Sequence, residues 1–414
     1  MNRPIKVTRS PDERTLARWV RAHNRWRGRE VFNLLPSENV LSATAKRYLA
    51  SDLAGRYTLP VSTTFHGEAI DNSYAGTRYT DRIEELGNRV ASRIFHGRWA
   101  TVRPLSGHIA ALSAMAPLLP SGAKLLAISP EQGGYDGYAP GFIPALFGWK
   151  VRPLPADGPG GSVVADQALE VIRAERPDAV LLGQSFFLFP YPVREIAEET
   201  HRWGGLLFYD ASHVLGLIAG GVFQDPLREG ADLLFGSTHK SFFGPQGGLL
   251  VTDREDLFRQ IDPALVWRIF DNAHWNRIAA LTQTLLEFER VGAEYARTVV
   301  ESSQRLAREL SDLGWPMVAE PQGFSRSHQI HIDPRRFRER FALGPGELAR
   351  RLETQGLILD LVGRIGTAEV TRLGVEPREM GRLAELLNSG GVARSEVRAE
   401  VQRWRSEYPT LRFE

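Results

Sequence analysis

The chain contains no cysteine among its 414 residues. Disulfides, thiolate nucleophiles, iron–sulfur clusters and cysteine-ligated zinc are excluded together, because each of them needs the thiol side chain. Any chemistry must therefore come from other side chains or from a bound cofactor.

An excess of either charge is also missing, since 51 Lys and Arg residues stand against 49 Asp and Glu residues, for a formal charge of +2. A protein that binds polyanions needs a stronger positive balance, so nucleic acid is not an expected partner. No stretch approaches the roughly 18 apolar residues of a membrane helix, and the N-terminus has no apolar segment of the kind found in signal peptides. We expect a soluble, cytoplasmic protein without a membrane partner.

What is present is an ordinary globular composition, 43% hydrophobic and 24% charged, without an evident internal repeat. Short apolar runs that end in Gly, Ser or Asp are typical of strands buried on both faces. They cover residues 124–129, 178–183, 205–210 and 231–236. Because helical stretches lie between some of them, the pattern predicts an α/β fold with an open, mostly parallel sheet.

The pattern changes beyond about Arg290, where apolar residues at helical spacing run through a long segment rich in Arg and Glu. This segment is interpreted as the connection to a second domain of shorter elements. The expected organisation is an N-terminal arm (1–30), a large domain (31–288) and a small C-terminal domain (289–414).

Two of the apolar runs end abruptly in polar residues, which include Asp210, His213, His239 and Lys240. Open α/β folds place their sites at the carboxyl edge of the sheet, where these residues would lie. The 30 residues from Asp210 to Lys240 are enough for one helical crossover, so both side chains can reach one crevice. Taken singly, the aspartate could simply cap a helix and the lysine could be solvated.

The joint pattern favours chemistry over these structural alternatives. A lysine between His239 and a glycine-rich turn, after a buried strand, has little structural reason to be there, because burying an ammonium costs free energy. Desolvation lowers the pKa of such an amine and makes the neutral nucleophile accessible for imine chemistry. A nearby carboxylate can hold a ring nitrogen protonated. These are the two protein groups that pyridoxal phosphate requires.

A phosphate site and a ring-stacking residue are weaker candidates. Ser106 and Gly107 open a helix whose free N–H groups and dipole suit an anion, although such helix starts are common without a ligand. Tyr135 follows two glycines just past a predicted strand. Its ring could lie on a cofactor ring or simply pack on the surface.

At this point several motifs together resemble the serine hydroxymethyltransferase family of fold-type I pyridoxal phosphate enzymes. The resemblance covers roughly residues 30–375, and it is carried by the run from DASHVLG to GPQGG (210–248) and by seven further motifs in order. These motifs are LLPSEN (34–39), GRY (55–57), SYAGTRYTDRIEELG (73–87), PLSGHIAAL (104–112), GGYDGY (133–138), GQSFF (183–187) and GRIGTAEVTRLG (363–374). The family implies an aspartate aminotransferase-like fold with a large, mostly parallel sheet domain and a smaller C-terminal α+β domain.

The resemblance also implies roles for residues that bind the cofactor. Lys240 would carry the internal aldimine of pyridoxal 5'-phosphate, Asp210 would pair with the pyridinium nitrogen, and His213 would lie near the ring oxygen. The other expected cofactor contacts are Ser106, Gly107 and His108 in the phosphate turn, Tyr135 against the ring, Ser185, Ser237 and His239.

For the substrate carboxylate, the resemblance implies Arg364, helped by Ser37 and Tyr57; a planar guanidinium suits a carboxylate. Tyr57 and the catalytic candidate Tyr74 match residues that the family supplies across a dimer interface. We therefore expect a homodimer with shared active sites that acts on a small amino acid and an aldehyde, and no metal.

The departures from the family pattern bear on function. Folate-using members have a Glu that handles the folate and the hydroxymethyl group, and Leu59 stands at that position here. Glu38, His66 or Glu68 could replace it as the acid or base. Gln246 replaces an Arg after the lysine, and FDNAHWNRIAAL (270–281) replaces a stretch that approaches the neighbour's phosphate, with His274 and Arg277 as candidate substitutes.

Intact pyridoxal machinery without the folate glutamate predicts a folate-independent aldolase or transaldolase. Such an enzyme cleaves or forms the Cα–Cβ bond of a β-hydroxy-α-amino acid through a glycyl quinonoid. Three alternatives stay open: a pyridoxal phosphate-dependent oxygenase or decarboxylase of an amino acid, a serine hydroxymethyltransferase with a displaced acid or base, and a catalytically silent homologue.

Overall fold

The computed structural model describes residues 10–59 and 72–414, together with the backbone of residues 63–65 and 68–70. The described strands are β1 (Phe32–Asn33), β2 (Thr63–Phe65), β3 (Glu68–Ile70), β4 (Trp99–Thr101), β5 (Lys124–Ala127), β6 (Lys150–Pro153), β7 (Ala179–Leu182), β8 (Leu206–Asp210), β9 (Leu233–Ser237), β10 (Gly248–Thr252), β11 (Gln329–His331), β12 (Leu357–Ile358) and β13 (Arg364–Gly366).

Seven of these strands form one central sheet in the order β4-β10-β9-β8-β7-β5-β6. The five strands from β9 to β6 are parallel, and β10 runs antiparallel to both of its neighbours. The prediction of a mostly parallel sheet is therefore confirmed. The four apolar runs found in the sequence become β5, β7, β8 and β9, which lie side by side because each is buried on both faces.

Helices cover the sheet and build the C-terminal part. They are α1 (Pro11–Arg25), α2 (Ala43–Leu49), α3 (Arg78–Ile94), α4 (Gly107–Met115), α5 (Ile143–Phe147), α6 (Ala165–Glu175), α7 (Val193–Arg202), α8 (Leu215–Ala219), α9 (Glu255–Ala264), α10 (Trp275–Asp312), α11 (Pro334–Phe341), α12 (Pro345–Thr354), α13 (Ala368–Leu373), α14 (Met380–Leu387) and α15 (Arg398–Arg405).

Buried apolar side chains lie on both faces of the sheet and in a separate C-terminal core. The 38-residue helix α10 joins the two regions, since Leu285 packs in the sheet core and Leu306 packs in the C-terminal core. Phe32 and Leu34 also pack in the C-terminal core, because β1 pairs with β12. The domain boundaries at residues 31 and 289 stay a prediction, and the chain crosses between the two cores at more than one place.

The parallel register brings the ends of two strands together. Asp210, the last residue of β8, is opposite Phe235 of β9, and the chain leaving β9 reaches Lys240 within three residues of the strand end. Helix α4 packs on β9 and β10 with its N-terminus at the same edge. The site is therefore a consequence of strand order.

Candidate active site at the carboxyl edge of the sheet

A cavity of about 200 Å³ lies at the carboxyl ends of β8 and β9. It brings together all ten of the residues expected at a cofactor site and adds Gln184 and Ser212. The lining residues are Ser106, Gly107, His108, Tyr135, Gln184, Ser185, Asp210, Ser212, His213, Ser237, His239 and Lys240. All of the expected cofactor contacts therefore share one enclosed space, while their individual roles stay predictions.

Lys240 lies in this cavity at the turn that follows β9. Asn39 donates a hydrogen bond from Nδ2 to its backbone oxygen at 2.9 Å, which holds the turn in place. The pKa of Lys240 is lowered to about 8, mainly by burial; the negative charge of Asp210 opposes this lowering, and the positive charge of Arg364 adds to it. About a tenth of the amine is therefore neutral at pH 7, as a nucleophile requires.

Asp210 is the one carboxylate among the described residues that line the cavity. Its Oδ2 accepts a hydrogen bond from the Tyr138 hydroxyl at 2.5 Å, and its Oδ1 accepts one from the Ser212 amide at 2.9 Å. Gly183, directly after the neighbouring strand β7, allows this packing, since a Cβ there would lie 2.6 Å from the Asp210 Cβ. The carboxylate is thus fixed from three sides.

The start of α4 forms a tight turn beside the same strands. The Ser106 hydroxyl accepts a hydrogen bond from the Ile109 amide and caps the helix. At Gly107 a Cβ would lie 2.7 Å from the Ser237 Cβ, so only glycine lets the turn approach β9 this closely. The amides at this end face an edge where an anion would be stabilised by the helix N-terminus.

Tyr135 and His108 meet at the mouth of the cavity. The His108 Nδ1 and the Tyr135 hydroxyl oxygen are 3.0 Å apart, and the two rings meet edge to face. The Tyr135 ring also meets the ring of Tyr138 edge to face. The half-buried Tyr135 ring lines the cavity, and its stacking on a cofactor ring stays a prediction.

Arg364 approaches the cavity from the C-terminal region. Asp360 accepts a hydrogen bond from its Nε at 2.6 Å, and the Ser185 backbone oxygen accepts one from its Nη1 at 2.8 Å. Its guanidinium carbon lies 4.9 Å from the centre of the Phe186 ring. These contacts orient the planar group without using all of its donors, which leaves capacity to bind a carboxylate.

Other candidates lie elsewhere. Glu38 pairs with Arg27 and accepts a hydrogen bond from Asn33, and it lines a second, larger cavity of about 610 Å³ beside the N-terminal arm. His239 lines both cavities. Ser37, in the turn before Glu38, lines neither of them among the described residues.

Tyr57 and Tyr74 contact each other edge to face, with ring centres 5.2 Å apart, and Tyr57 donates a hydrogen bond to Asp271. Their exposed fractions are 40% and 46%, and they do not line the lysine cavity of their own chain. Glu68 lies in β3, where the structure describes only the backbone, and His66 lies outside the described residues.

The structure also describes the three places at which the sequence departs from the family pattern. Leu59 is buried, and Gln246 lines the larger cavity. Arg277 is buried in α10 and donates from Nη2 to the backbone oxygens of Val102, Arg103 and Ala273. His274 precedes that helix in a left-handed backbone conformation.

Several residues at the site were missed from the sequence. Tyr138 stands inside a motif that drew attention only to Tyr135, and Ser212 stands between two residues that were found. Gln329 in β11 hydrogen-bonds His213, and the sequence gives little signal for it, because it follows His328 in a short strand that mixes polar and apolar residues.

The described part of the chain offers neither a membrane-spanning helix nor a metal cluster. None of its helices is long and apolar enough to cross a membrane. Within the same residues, no three His, Asp or Glu side chains meet in a way that could hold a metal ion.

The residues present fit pyridoxal phosphate. A buried amine with a lowered pKa and a fixed carboxylate face one small space, as the aldehyde and the ring nitrogen need. The Gly107 turn leaves room that a side chain would fill, and the buried His239 Nδ1 has no hydrogen-bond partner among the described residues. Lys240, Asp210 and the start of α4 would hold the aldehyde carbon, the ring and the phosphate.

Comparison with known proteins agrees with this fit. The family model described as serine hydroxymethyltransferase matches residues 13–337. Serine hydroxymethyltransferases of Pyrobaculum arsenaticum and Methanothermobacter thermautotrophicus are each 36% identical over 95% of this chain and over 92% and 93% of their own lengths.

A solved structure gives the same fold. The crystal structure of L-threonine transaldolase from Pseudomonas fluorescens, in its internal aldimine state, superposes with a TM-score of 0.86 at 22% identity, covering 97% of this chain and 93% of that one. The fold-type I expectation is thereby confirmed, together with the cofactor. The chain belongs to the serine hydroxymethyltransferase family and is a pyridoxal phosphate-dependent enzyme.

Proposed function

We propose that this enzyme cleaves and forms the Cα–Cβ bond of β-hydroxy-α-amino acids without folate, as an aldolase or transaldolase. One observation carries the proposal. Leu59, a buried hydrocarbon side chain, stands where folate-using members of the family have the glutamate that moves the proton. The residues expected to hold the cofactor line one cavity with Lys240, and Arg364, which we expect to bind the substrate carboxylate, donates a hydrogen bond to the backbone oxygen of Ser185 in that lining.

Pyridoxal phosphate, when bound, withdraws electrons from the Cα of the amino acid. Asp210 keeps a negative charge close to the ring nitrogen and so favours its protonated form. Arg364 would bind the substrate carboxylate and thereby orient the amino acid in the site. In this proposal Asp210 helps to bind the cofactor, and Arg364 orients the substrate.

The β-hydroxyl proton needs an acceptor. Glu38 is a poor candidate, because it is tied to Arg27 and Asn33 beside the larger cavity. We propose that a side chain in the segment after Leu59 accepts this proton, with His66 and Glu68 as the candidates.

We also propose a homodimer in which Tyr57 and Tyr74 complete the partner's site, since both are exposed and lie outside their own cavity. Mixing Lys240→Ala subunits with Tyr57→Phe subunits tests this arrangement. After random exchange about half of the dimers would be mixed, and each mixed dimer would contain one intact site of two, so activity should return to about a quarter of the wild-type value. No recovery after confirmed subunit exchange would contradict shared sites.

The main test is product analysis of the holoenzyme with L-threonine in the absence of folate. We expect acetaldehyde and glycine, and with a second aldehyde present we expect a new β-hydroxy-α-amino acid. The Lys240→Ala variant is the control for cofactor chemistry in solution. Failure to cleave any member of a panel of β-hydroxy-α-amino acids would contradict the proposal.

A second candidate is a serine hydroxymethyltransferase with a displaced acid or base. It is favoured by the 36% identity to proteins of that name over 95% of the chain. The fold also hosts transaldolase activity, as the Pseudomonas fluorescens protein is an L-threonine transaldolase. Turnover of serine that depends on tetrahydrofolate, with no cleavage of threonine in its absence, would select this second candidate.

A further inference from the structure

A chain of hydrogen bonds runs from His213 into the C-terminal region. The Gln329 Nε2 lies 2.8 Å from the His213 Nδ1, and the Gln329 Oε1 lies 2.9 Å from the His331 Nε2. All three side chains are buried, and both Gln329 and His331 belong to β11. Two buried polar side chains on one short strand need an explanation, because each would cost free energy without a partner.

The orientation of the Gln329 amide is fixed independently of the histidines. Its Nε2 also lies 3.3 Å from the backbone oxygen of Ser185, and a carbonyl oxygen can only accept a hydrogen bond. The atom that faces both Ser185 and His213 is therefore the NH₂ group. The Oε1 at the other end must accept, so the His331 Nε2 carries a hydrogen.

The protonation of the His213 ring follows from this orientation. Because the Gln329 NH₂ donates to its Nδ1, that nitrogen holds a lone pair, and the ring hydrogen is on Nε2. Burial lowers the pKa of His213 well below its usual value, and the charges of Lys240 and Arg364 act in the same direction. The neighbouring rings of His328 and His239 lower it as well. The imidazole is thus neutral.

The neighbouring ring supports the same arrangement. His328 stacks on His213 with ring centres 5.8 Å apart, and its Nε2 donates to the backbone oxygen of Pro36 at 3.0 Å. The stacked neighbour therefore uses its hydrogen elsewhere and does not compete for the His213 Nδ1. Gln329 is the donor to that nitrogen.

The same chain of contacts reaches the residue expected to bind the substrate carboxylate. The Ser185 backbone oxygen accepts hydrogen bonds from both Gln329 and the Arg364 Nη1. His331 is paired with Arg364 in the register of β11 and β13, and the Phe186 ring contacts both side chains. A change at Gln329 would therefore affect the surroundings of both His213 and Arg364.

We propose that Gln329 and His331 are positioning residues that hold His213 as the Nε2–H tautomer, so that this nitrogen donates into the lysine cavity to the ring oxygen of the cofactor. The inference rests on the proposed function only in placing a pyridine ring in that cavity. It assigns a role to two residues outside every motif found in the sequence.

Nitrogen-15 NMR of the protein with labelled histidine tests the tautomer directly, because protonated and unprotonated ring nitrogens have separate shift ranges. The cofactor-free chain is measured first, with the His213 signals assigned by their loss in His213→Gln. We expect Nδ1 of His213 in the unprotonated range and Nε2 in the protonated range. The opposite assignment in the wild type would overturn the proposal.

The matched variant is Gln329→Glu, which keeps the shape and places an acceptor at both ends. His213 must then carry a hydrogen on Nδ1, so that signal should move into the protonated range, while Gln260→Glu on the surface should leave it unchanged. Unchanged His213 signals in Gln329→Glu would overturn the proposal. The wild-type spectrum is decisive even if a variant does not fold.

In the loaded enzyme, Gln329→Glu should shift the absorbance maximum of the bound cofactor and lower kcat/KM by about tenfold to a hundredfold, as expected for one hydrogen bond to a charged oxygen. His331→Gln, which can still donate to the Gln329 Oε1, should recover most of what His331→Leu loses. Equal losses of kcat/KM in these two His331 variants would contradict a role for the hydrogen bond from His331 to Gln329. Because the tautomer is read without substrate, its failure is distinguishable from a failure of the proposed activity.

Discussion

Two cavities share a wall at His239, and they are built in different ways. The smaller one, around Lys240, is formed by strand ends and by the start of α4, with backbone approaches that only glycine allows at Gly107 and Gly183. The larger one is formed by the N-terminal arm, by the turn after the lysine, and by the paired side chains of Arg27 and Glu38.

The smaller cavity is the one in which we expect the cofactor. Its carboxylate, Asp210, ends a buried strand, and Lys240 follows the end of the next strand, so neither can move without disturbing the sheet. The acceptors that we propose for the substrate proton, His66 and Glu68, follow Leu59 in the chain, and the family resemblance places Leu59 where folate-using members have their glutamate. A family can therefore keep the cofactor site and change the proton acceptor, which is how one scaffold hosts several reactions.

The largest expected effect in the smaller cavity is that of Lys240→Ala. Loss of the amine should remove the absorbance band of covalently bound cofactor and lower kcat by about 10⁴-fold or more, as for other residues that form a covalent intermediate. Lys150→Ala is the control, because Lys150 is an exposed lysine of β6. A retained band in Lys240→Ala would mean that another group captures the cofactor.

Asp210→Asn is expected to have the next largest effect. The amide oxygen can still accept from the Ser212 amide, and the NH₂ group can donate to the Tyr138 hydroxyl oxygen, but the side chain carries no charge. We therefore expect kcat to fall by about 10²–10³-fold, the range for removing one preorganised electrostatic group. Tyr138→Phe keeps the carboxylate and should lose much less. Equal losses in the two variants would indicate that the hydroxyl, not the charge, is what the site needs.

A packing variant tests whether strand geometry holds the carboxylate. In Gly183→Ala the new Cβ would lie 2.6 Å from the Asp210 Cβ, so we expect a loss of about 1–3 kcal/mol in the free energy of unfolding and weaker cofactor binding. Gly141→Ala meets no atom within 4 Å and should change stability by less than about 1 kcal/mol. Thermal unfolding with and without cofactor measures the stability and the cofactor binding of each variant. Unchanged stability and cofactor binding in Gly183→Ala would contradict the close approach of Gly183 to Asp210.

The smallest effect is expected in the larger cavity. Glu38→Gln removes a partly exposed ion pair with Arg27, which is worth less than about 1 kcal/mol, so kcat/KM for threonine cleavage should change by less than about fivefold. His66→Gln and Glu68→Gln are the matched comparisons. A large loss in Glu38→Gln alone would move proton transfer into the larger cavity and remove the distinction between the two.

The strands and the residues at their ends could be predicted, because apolar runs that end in polar residues have few other interpretations in an α/β protein. Gln329 and His331 could not be found in this way, since their polar side chains break the apolar pattern of β11 and their partners come from distant elements. The pairing of Glu38 with Arg27 was missed for a similar reason. Local patterns carry no information on which arm or turn folds against a given side chain.

The central claim is that the buried amine of Lys240 is the group that captures pyridoxal phosphate, and its pH dependence tests this most directly. Burial lowers the pKa to about 8, so the rate at which the cofactor-free chain gains the absorbance band should rise about tenfold per pH unit below 8 and level off above it. The unfolded chain keeps the ordinary pKa of 10.5, so stability should also rise with pH between about 8 and 10.5. A rate that keeps rising to pH 10.5, or the same profile in Lys240→Ala, would contradict the account.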